Sequence, residues 1–373
     1  MGSKLLYISN ARIPTEKAHG VQIMSMCEAF AGLGHEVELA LPRKRDFLKT
    51  DPFEYYGIKK NFTIRTIPIP DLGSKSEVFP KLSLGLDVFA FIFQLLFSRI
   101  AEKGDILYFR DFPLLFAFSP RKNRLIVEVH HIYGWKALFV RALKHASLIV
   151  AITQALKADL IALGLPENRI IVAPDAVDLS IFENVESKEV ARRRLGLPQD
   201  KKIALYIGRI DVWKGTDTLF KAAGHLADVH VAVIGNGPEE IPILKKRYPH
   251  IIFLGFRPYR EIAQNQAAAD VLVLPNSGKE KISARFTSPL KLFTYMASRI
   301  PIVVADLPSM REVLSEREAF FFRPDDPEDL ARVIRTALSD ADAHGRAAHA
   351  YEKVKQYSWI SRAKHILEHI PHV

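Results

Sequence analysis

A single cysteine, Cys27, stands among 373 residues, so no disulfide can close within the chain and no thiolate cluster can hold a structural metal. A reducing compartment fits that usage. Long apolar runs are missing too. The richest stretch, Val88 to Phe97, is too short to span a bilayer, and Gly85, Asp87 and Gln94 interrupt it or its approach. Low-complexity tracts are absent. The opening Met-Gly-Ser-Lys runs almost directly into an apolar segment, so no signal peptide is expected. Gly2 lacks the Ser or Thr at the offset that acylation requires. Helix-turn-helix, zinc-finger and aromatic-basic patterns are also lacking, although the net charge is +10. The excess is spread over short runs, Arg43-Lys44-Arg45, Arg192-Arg193-Arg194 and Lys245-Lys246-Arg247. Such dispersion marks a solvated surface, suited to anions such as a nucleoside diphosphate or an acidic membrane face. No nucleic-acid partner is expected.

What is present is a globular make-up, 48% hydrophobic and 25% charged, in a chain long enough for two domains. A short apolar run, a turn and an amphipathic helix recur. Leu5 to Ser9 reads as a buried strand, Val21 to Leu33 as a helix closed by Gly34, and Glu36 to Leu41 as the next strand. Further strands are expected at Ile64 to Ile67, Ile106 to Phe109, Leu125 to Val129, Leu148 to Ala151 and Ile170 to Val172. The pattern restarts at Lys202 to Gly208, with a helix from Thr216 to Leu226 and strands at Val229 to Ile234, Ile251 to Leu254, Val271 to Leu274 and Ile302 to Val304. Buried strands alternating with helices imply a parallel, doubly wound sheet in each half. Ala173 to Asp178 reads as the connector. Ligands of such sheets sit beyond the carboxyl ends of the strands. Ser83 to Phe97 reads either as a core or cleft-facing helix, or as an interfacial docking helix flanked by Lys81, Arg99 and Lys103.

Several residues at strand ends can carry chemistry. Gly208-Arg209 and Lys214-Gly215 place two cations just past the second half's first strand, where they suit a diphosphate. Charge building on a leaving diphosphate is stabilised most by fixed cations in a site that excludes water. Ser288 reads as an N-cap and Pro289 as the first helical residue, so the helix they open offers free N–H groups and a positive dipole end to an anion. In the first half, His19-Gly20 precedes the first helix, and Gly20 can bring backbone N–H groups close to phosphate or sugar. His130, at the end of Glu128-Val129-His130-His131, can hydrogen-bond a reacting sugar, and Tyr108 to Asp111 can line an acceptor. Each of these also has a plain reading as surface charge, capped helix or structural histidine. No metal-ligand cluster is evident.

Taken in order, these pieces resemble the retaining glycosyltransferases of family 4, along nearly the whole chain. The resemblance rests on His19-Gly20-Val21, Gly34-His35-Glu36-Val37, Glu128-Val129-His130, Gly208-Arg209, Lys214-Gly215, Gly235-Asn236-Gly237-Pro238, Ala269-Asp270, Leu274-Pro275, and Ser288 to Ala297 followed by Pro301-Ile302-Val303. It implies a GT-B fold: two Rossmann-like domains facing each other across a cleft, with a C-terminal helix, Ser358 to Ile370, crossing back to the first domain. The expected division is 1–178 for the acceptor side, 179–356 for the nucleotide-sugar donor and 357–373 for the crossing helix. His130, Arg209 and Lys214 are the expected catalytic residues. Gly20, Gly208, Arg209, Lys214, Gly235, Gly237, Ser288, Pro289, Leu290 and Thr294 are expected at the donor, and His19, Arg110 and His131 on the acceptor side.

The chain departs from the family where two glutamates eight residues apart are usual. Thr294 takes the second position and Phe286 the first, and Arg299 follows Met-Ala-Ser in place of a small residue. A hydroxyl cannot accept two strong hydrogen bonds from a ribose diol as a carboxylate can. The expected activity is metal-independent transfer of a hexose-type sugar, without a cofactor, to a glycan, lipid-linked or small-molecule acceptor. The expected location is the cytoplasm, with peripheral contact at an anionic membrane. Two rivals stand beside it: a nucleotide-sugar epimerase of the same architecture, and a catalytically weak nucleotide-binding homologue, favoured by the missing glutamates.

Overall fold

The computed structural model describes residues 4–43, 49–69, 80–98, 100–101, 105–120, 123–237 and 239–371, with 80–85 described by their backbone alone. Gly2, Lys44, Arg45, Arg99, Lys103 and Pro238, named above, lie outside the described residues. The chain divides into two units, Met1–Pro174 with Trp359–Val373, and Asp175–Ser358.

The first unit is built on β1 (Lys4–Ile8), β2 (Glu36–Arg43), β3 (Thr63–Pro68), β4 (Ile106–Phe109), β5 (Arg124–Val129), β6 (Leu148–Ala151) and β7 (Ile170–Val172), paired in the order β3-β2-β1-β4-β5-β6-β7. Every pairing is parallel. The reason lies in the side chains: Leu5 to Ile8 and Leu148 to Ala151 are buried on both faces, which only a sheet covered by helices on each side allows. The order reverses between β1 and β4, the point at which such sheets take their ligands.

The second unit repeats the plan with β8 (Lys202–Ile207), β9 (Val229–Ile234), β10 (Ile251–Gly255), β11 (Val271–Leu274), β12 (Ile302–Ala305) and β13 (Phe320–Phe322), in the order β10-β9-β8-β11-β12-β13. Its switch point lies between β8 and β11. The edge strand β13 is an addition to the sequence reading; three consecutive phenylalanines give no alternation to recognise.

The helix Trp359–Glu368 belongs to the first unit, where it packs on the helix Ala18–Gly32. Among the described residues no helix is long and apolar enough to cross a membrane. The helix Pro80–Phe97 buries Phe91 and Leu95 but leaves Phe89, Phe93 and Phe97 at 73%, 60% and 69% exposure, so it is neither wholly core nor wholly surface.

Candidate functional site

Candidate side chains gather at the switch point of each sheet. In the second unit β8 ends at Ile207, and Gly208 and Arg209 follow. Gly208 has φ +152°, and Gly235 lies against it so closely that a Cβ on Gly235 would meet the Gly208 carbonyl oxygen at 2.1 Å. Only two glycines let these strand ends meet. Asn236, in the left-handed region, accepts a 2.7 Å hydrogen bond from the Ile210 amide and so fixes the loop that carries Arg209. A one-turn helix, Val212–Lys214, presents Lys214, whose Nζ lies 5.2 Å from the Trp213 ring centroid.

Lys291, from the neighbouring crossover after β11, completes the group. Its Nζ donates to the Tyr206 hydroxyl at 3.0 Å and lies 4.3 Å from that ring's centroid. It approaches Gly208 so nearly that a Cβ there would come within 3.1 Å of the ammonium. Burial, then the neighbouring Lys214, hold the Lys291 pKa well below the usual lysine range. Burial also lowers Lys214, opposed by Asp211 and reinforced by Arg209. Arg209 acts on Lys214 and Lys214 on Lys291, so positive groups follow one another closely here with Asp211 as the opposing carboxylate, a setting that suits an anion. The helix Leu290–Ala297 starts beside them, with no side chain capping it. Sequence reasoning quoted Lys291 within a motif but gave it no role. The signal was a lysine two residues after the helix-opening proline.

Four expectations need correction. Ser288 does not cap the helix: Pro289 stands at the N-cap, and the Ser288 hydroxyl accepts from the Asp175 amide at 2.8 Å. Thr294 is fully buried, accepting from Gln266 Nε2 at 3.0 Å and donating to the Lys291 carbonyl at 3.0 Å. A hydroxyl shut in the core with both partners supplied has nothing to offer a ribose. Phe286, at the other glutamate position, is likewise buried, at the end of a π-turn, Ile282–Phe286. The third correction is at Gly237, whose amide is taken by Glu240 Oε2 at 3.2 Å and is not free for a donor. The fourth is at Gly20, which lies inside the helix Ala18–Gly32 with its amide bonded to the Lys17 carbonyl at 2.9 Å. Its smallness serves packing, because a Cβ would strike the Tyr56 hydroxyl at 2.1 Å. His19 falls in the same first turn.

In the first unit Arg110 and Asp111 follow β4, and His130 and His131 follow β5. Asp111 ties back to the end of β1, accepting from Ser9 Oγ at 2.9 Å and the Asn10 amide at 2.8 Å. A cavity of about 130 Å³ opens among Arg110, Asp111, Phe112, Glu128, His130 and His131. Beneath it Glu128 is buried, and it gathers five partners. His130 Nε2 lies at 2.6 Å, Arg110 Nη1 at 3.8 Å and Arg362 Nη2 at 3.0 Å, with hydrogen bonds from Gln22 Nε2 and the Tyr108 hydroxyl besides. Burial alone would raise the Glu128 pKa; Arg362, the His130 hydrogen bond and Arg110 outweigh it and hold the group anionic. Burial, then Arg110, bring His130 down to about 4 against the pull of Glu128, and His19 reaches about 4 through burial and Arg110. Near neutral pH the cavity is therefore lined by neutral imidazoles beside a fixed guanidinium, a setting for sugar hydroxyls. Arg110 lies beside His130, and His19 and His131 are near enough to feel its charge; Glu128, Gln22 and Arg362 had no assigned role in the sequence. Among the described residues no three His, Cys, Asp or Glu side chains are grouped to hold a metal.

This topology recurs in known proteins. The crystal structure of Anabaena HepE in complex with UDP and glucose superposes with a TM-score of 0.76 over 98% of each chain, at 17% identity, and shows the fold to be GT-B, that of a large class of glycosyltransferases. Residues 19–181 match the model of Glycosyltransferase Family 4, and residues 201–340 match that of Glycosyl transferases group 1, so the two models take in most of the chain. The chain belongs to the family 4-type glycosyltransferases. Over 210 residues, 56% of this chain and 51% of the relative, it is 29% identical to TuaC of Bacillus subtilis (strain 168), a glycosyltransferase assigned to teichuronic acid biosynthesis. It is 28% identical over 225 residues, 57% of the chain and 42% of the relative, to the sulfoquinovosyl transferase SQD2 of Arabidopsis thaliana. The chain spans about half the length of the curated relatives it matches.

Proposed function

We propose that the chain transfers a hexose-type sugar from a nucleoside diphosphate sugar to a glycan, lipid-linked or small-molecule acceptor, with retention at the anomeric carbon. The observation that carries this reading is the meeting of Arg209, Lys214 and Lys291 beside an uncapped helix start at the β8/β11 switch point. The UDP and glucose held by the HepE structure support the donor class. In this reading the bond between the anomeric carbon and the diphosphate oxygen breaks, and the acceptor oxygen bonds to that carbon on the same face. The departing phosphate oxygen takes the acceptor's proton. Arg209, Lys214 and Lys291 balance the charge left on the diphosphate, which binding alone cannot do in water. Neutral His130, held by Glu128, meets a sugar hydroxyl, and Arg110, His19 and His131 serve the acceptor side. Side-chain cations stand where other enzymes place a metal, so turnover is expected to persist in a chelator.

Steady-state assays of the purified chain, with donor hydrolysis and transfer followed separately, test the reading. Arg209→Ala and Lys214→Ala should each lower turnover by about 10²–10³-fold, the loss typical of a preorganised charge-stabilising group. Their thermal midpoints should stay near that of the parent. Wild-type turnover in both variants overturns the assignment.

A further inference from the structure

The helix Pro80–Phe97 has two apolar faces. At about 100° per residue, Phe91 and Leu95 lie together on the side that packs into the first unit. Leu86, Phe89, Phe93, Leu96 and Phe97 fall within an arc of about 100° on the opposite side, each at least 45% exposed. The Phe93 and Phe97 rings touch, centroids 4.8 Å apart, which keeps the stripe continuous. Five large apolar side chains in one stripe are far beyond the scattered exposure normal for a surface.

Further exposed apolar side chains sit on the elements packed beside this helix. The helical turn Phe112–Ala117 packs against both this helix and the helix Lys136–Leu143. Phe116 from that turn is 39% exposed and meets His145, while Trp135 and Leu138 stand at 74% and 43%. Charge separates this surface from an ordinary protein contact. From Phe112 to Ser147 the sequence carries six Lys or Arg and a single acid, Glu128, which is buried. Lys136, Arg141 and Lys144 are exposed on the same helical segment as Trp135 and Leu138.

We propose that this surface docks the chain on an anionic lipid bilayer, with the Phe/Leu stripe lying in the headgroup region and Lys136, Arg141 and Lys144 against acidic lipid. The chemistry of both components fits. A helix of about 27 Å that buries one apolar face in its own unit and exposes the other lies in the interface plane rather than spanning it, and the basic residues add attraction that only an anionic surface returns. A second copy of this chain would bring like charges together over the same area. The inference stands apart from the glycosyl-transfer reading, since docking and turnover are measured separately.

Co-sedimentation of the full chain with vesicles of phosphatidylglycerol and phosphatidylcholine, against pure phosphatidylcholine vesicles, tests it. The chain should sediment with the anionic vesicles and stay in solution with the neutral ones. The triple variant Phe89→Ser, Phe93→Ser, Phe97→Ser should lower the bound fraction at least tenfold while keeping its thermal midpoint and its affinity for UDP, because those side chains carry no core packing. A second variant, Lys136→Gln, Arg141→Gln, Lys144→Gln, should weaken binding and flatten its salt dependence. No binding of the parent chain to anionic vesicles overturns the proposal, as does equal binding by the triple phenylalanine variant. A concentration-dependent dimer that disappears in that variant, without vesicle binding, assigns the face to self-association instead. Loss of turnover with docking intact would count against the enzymatic reading alone.

Discussion

Lys291 is a partly buried lysine beside a second cation, and this fixes the sign of a pH effect. Its pKa is depressed in the free chain, and a bound diphosphate would raise it again. Binding should therefore take up protons, and affinity should fall as pH rises through the depressed value. Calorimetric titration of UDP in buffers of different ionisation enthalpy checks this; Lys291→Met should abolish the uptake, and proton release would contradict it. His130 gives the opposite kind of test. Its folded pKa of about 4 lies below the unfolded value of about 6.5, so the unfolded chain binds more protons in that window. Stability should decline as pH drops from about 6.5 to 4, seen as a falling urea midpoint, and His130→Asn should flatten part of that decline. Thr294 separates a packing role from a binding one. Thr294→Val strands the Gln266 amide and should cost about 1–3 kcal/mol of stability, with affinity for UDP unchanged.

Elements show where sequence reasoning reaches and where it stops. The strands that end at Ile8, Phe109, Val129, Ile207 and Leu274 were legible because each is a short apolar run bounded by turn residues. Helix starts were less legible. The helix expected from Val21 begins at Ala18, because Lys17 in extended backbone opens it without a side-chain cap. Ser288 looked like a cap but is claimed by a partner 113 residues away, a contact no local pattern encodes. Arg362 is the clearest case of information held only in three dimensions. From the helix Trp359–Glu368 it reaches Glu128 and also donates to the Pro174 carbonyl at 2.8 Å and the Ala173 carbonyl at 3.1 Å. Arg362→Met should cost about 3–5 kcal/mol, the price of leaving a buried carboxylate without its main partner. Chemical denaturation would measure it. A loss under 1 kcal/mol would show that His130, Gln22 and Tyr108 suffice.

At the scale of the molecule, two parallel sheets each reverse their strand order once, and each switch point carries a different set of side chains. At β1/β4 the lining is Asp111, Arg110 and neutral imidazoles; at β8/β11 it is three cations and a helix start. Thr294 and Phe286 stand where the family commonly carries glutamates, and both are buried, so no carboxylate is offered to a ribose at either position. Diphosphate affinity should thus depend on charge rather than on ribose contacts. Isothermal titration of UDP, against uridine as control, into the parent chain and into Arg209→Ala with Lys214→Ala measures this directly. The account predicts binding by the parent, uridine weaker by at least tenfold, and no measurable heat in the double variant. Equal affinity for UDP in both proteins would contradict it.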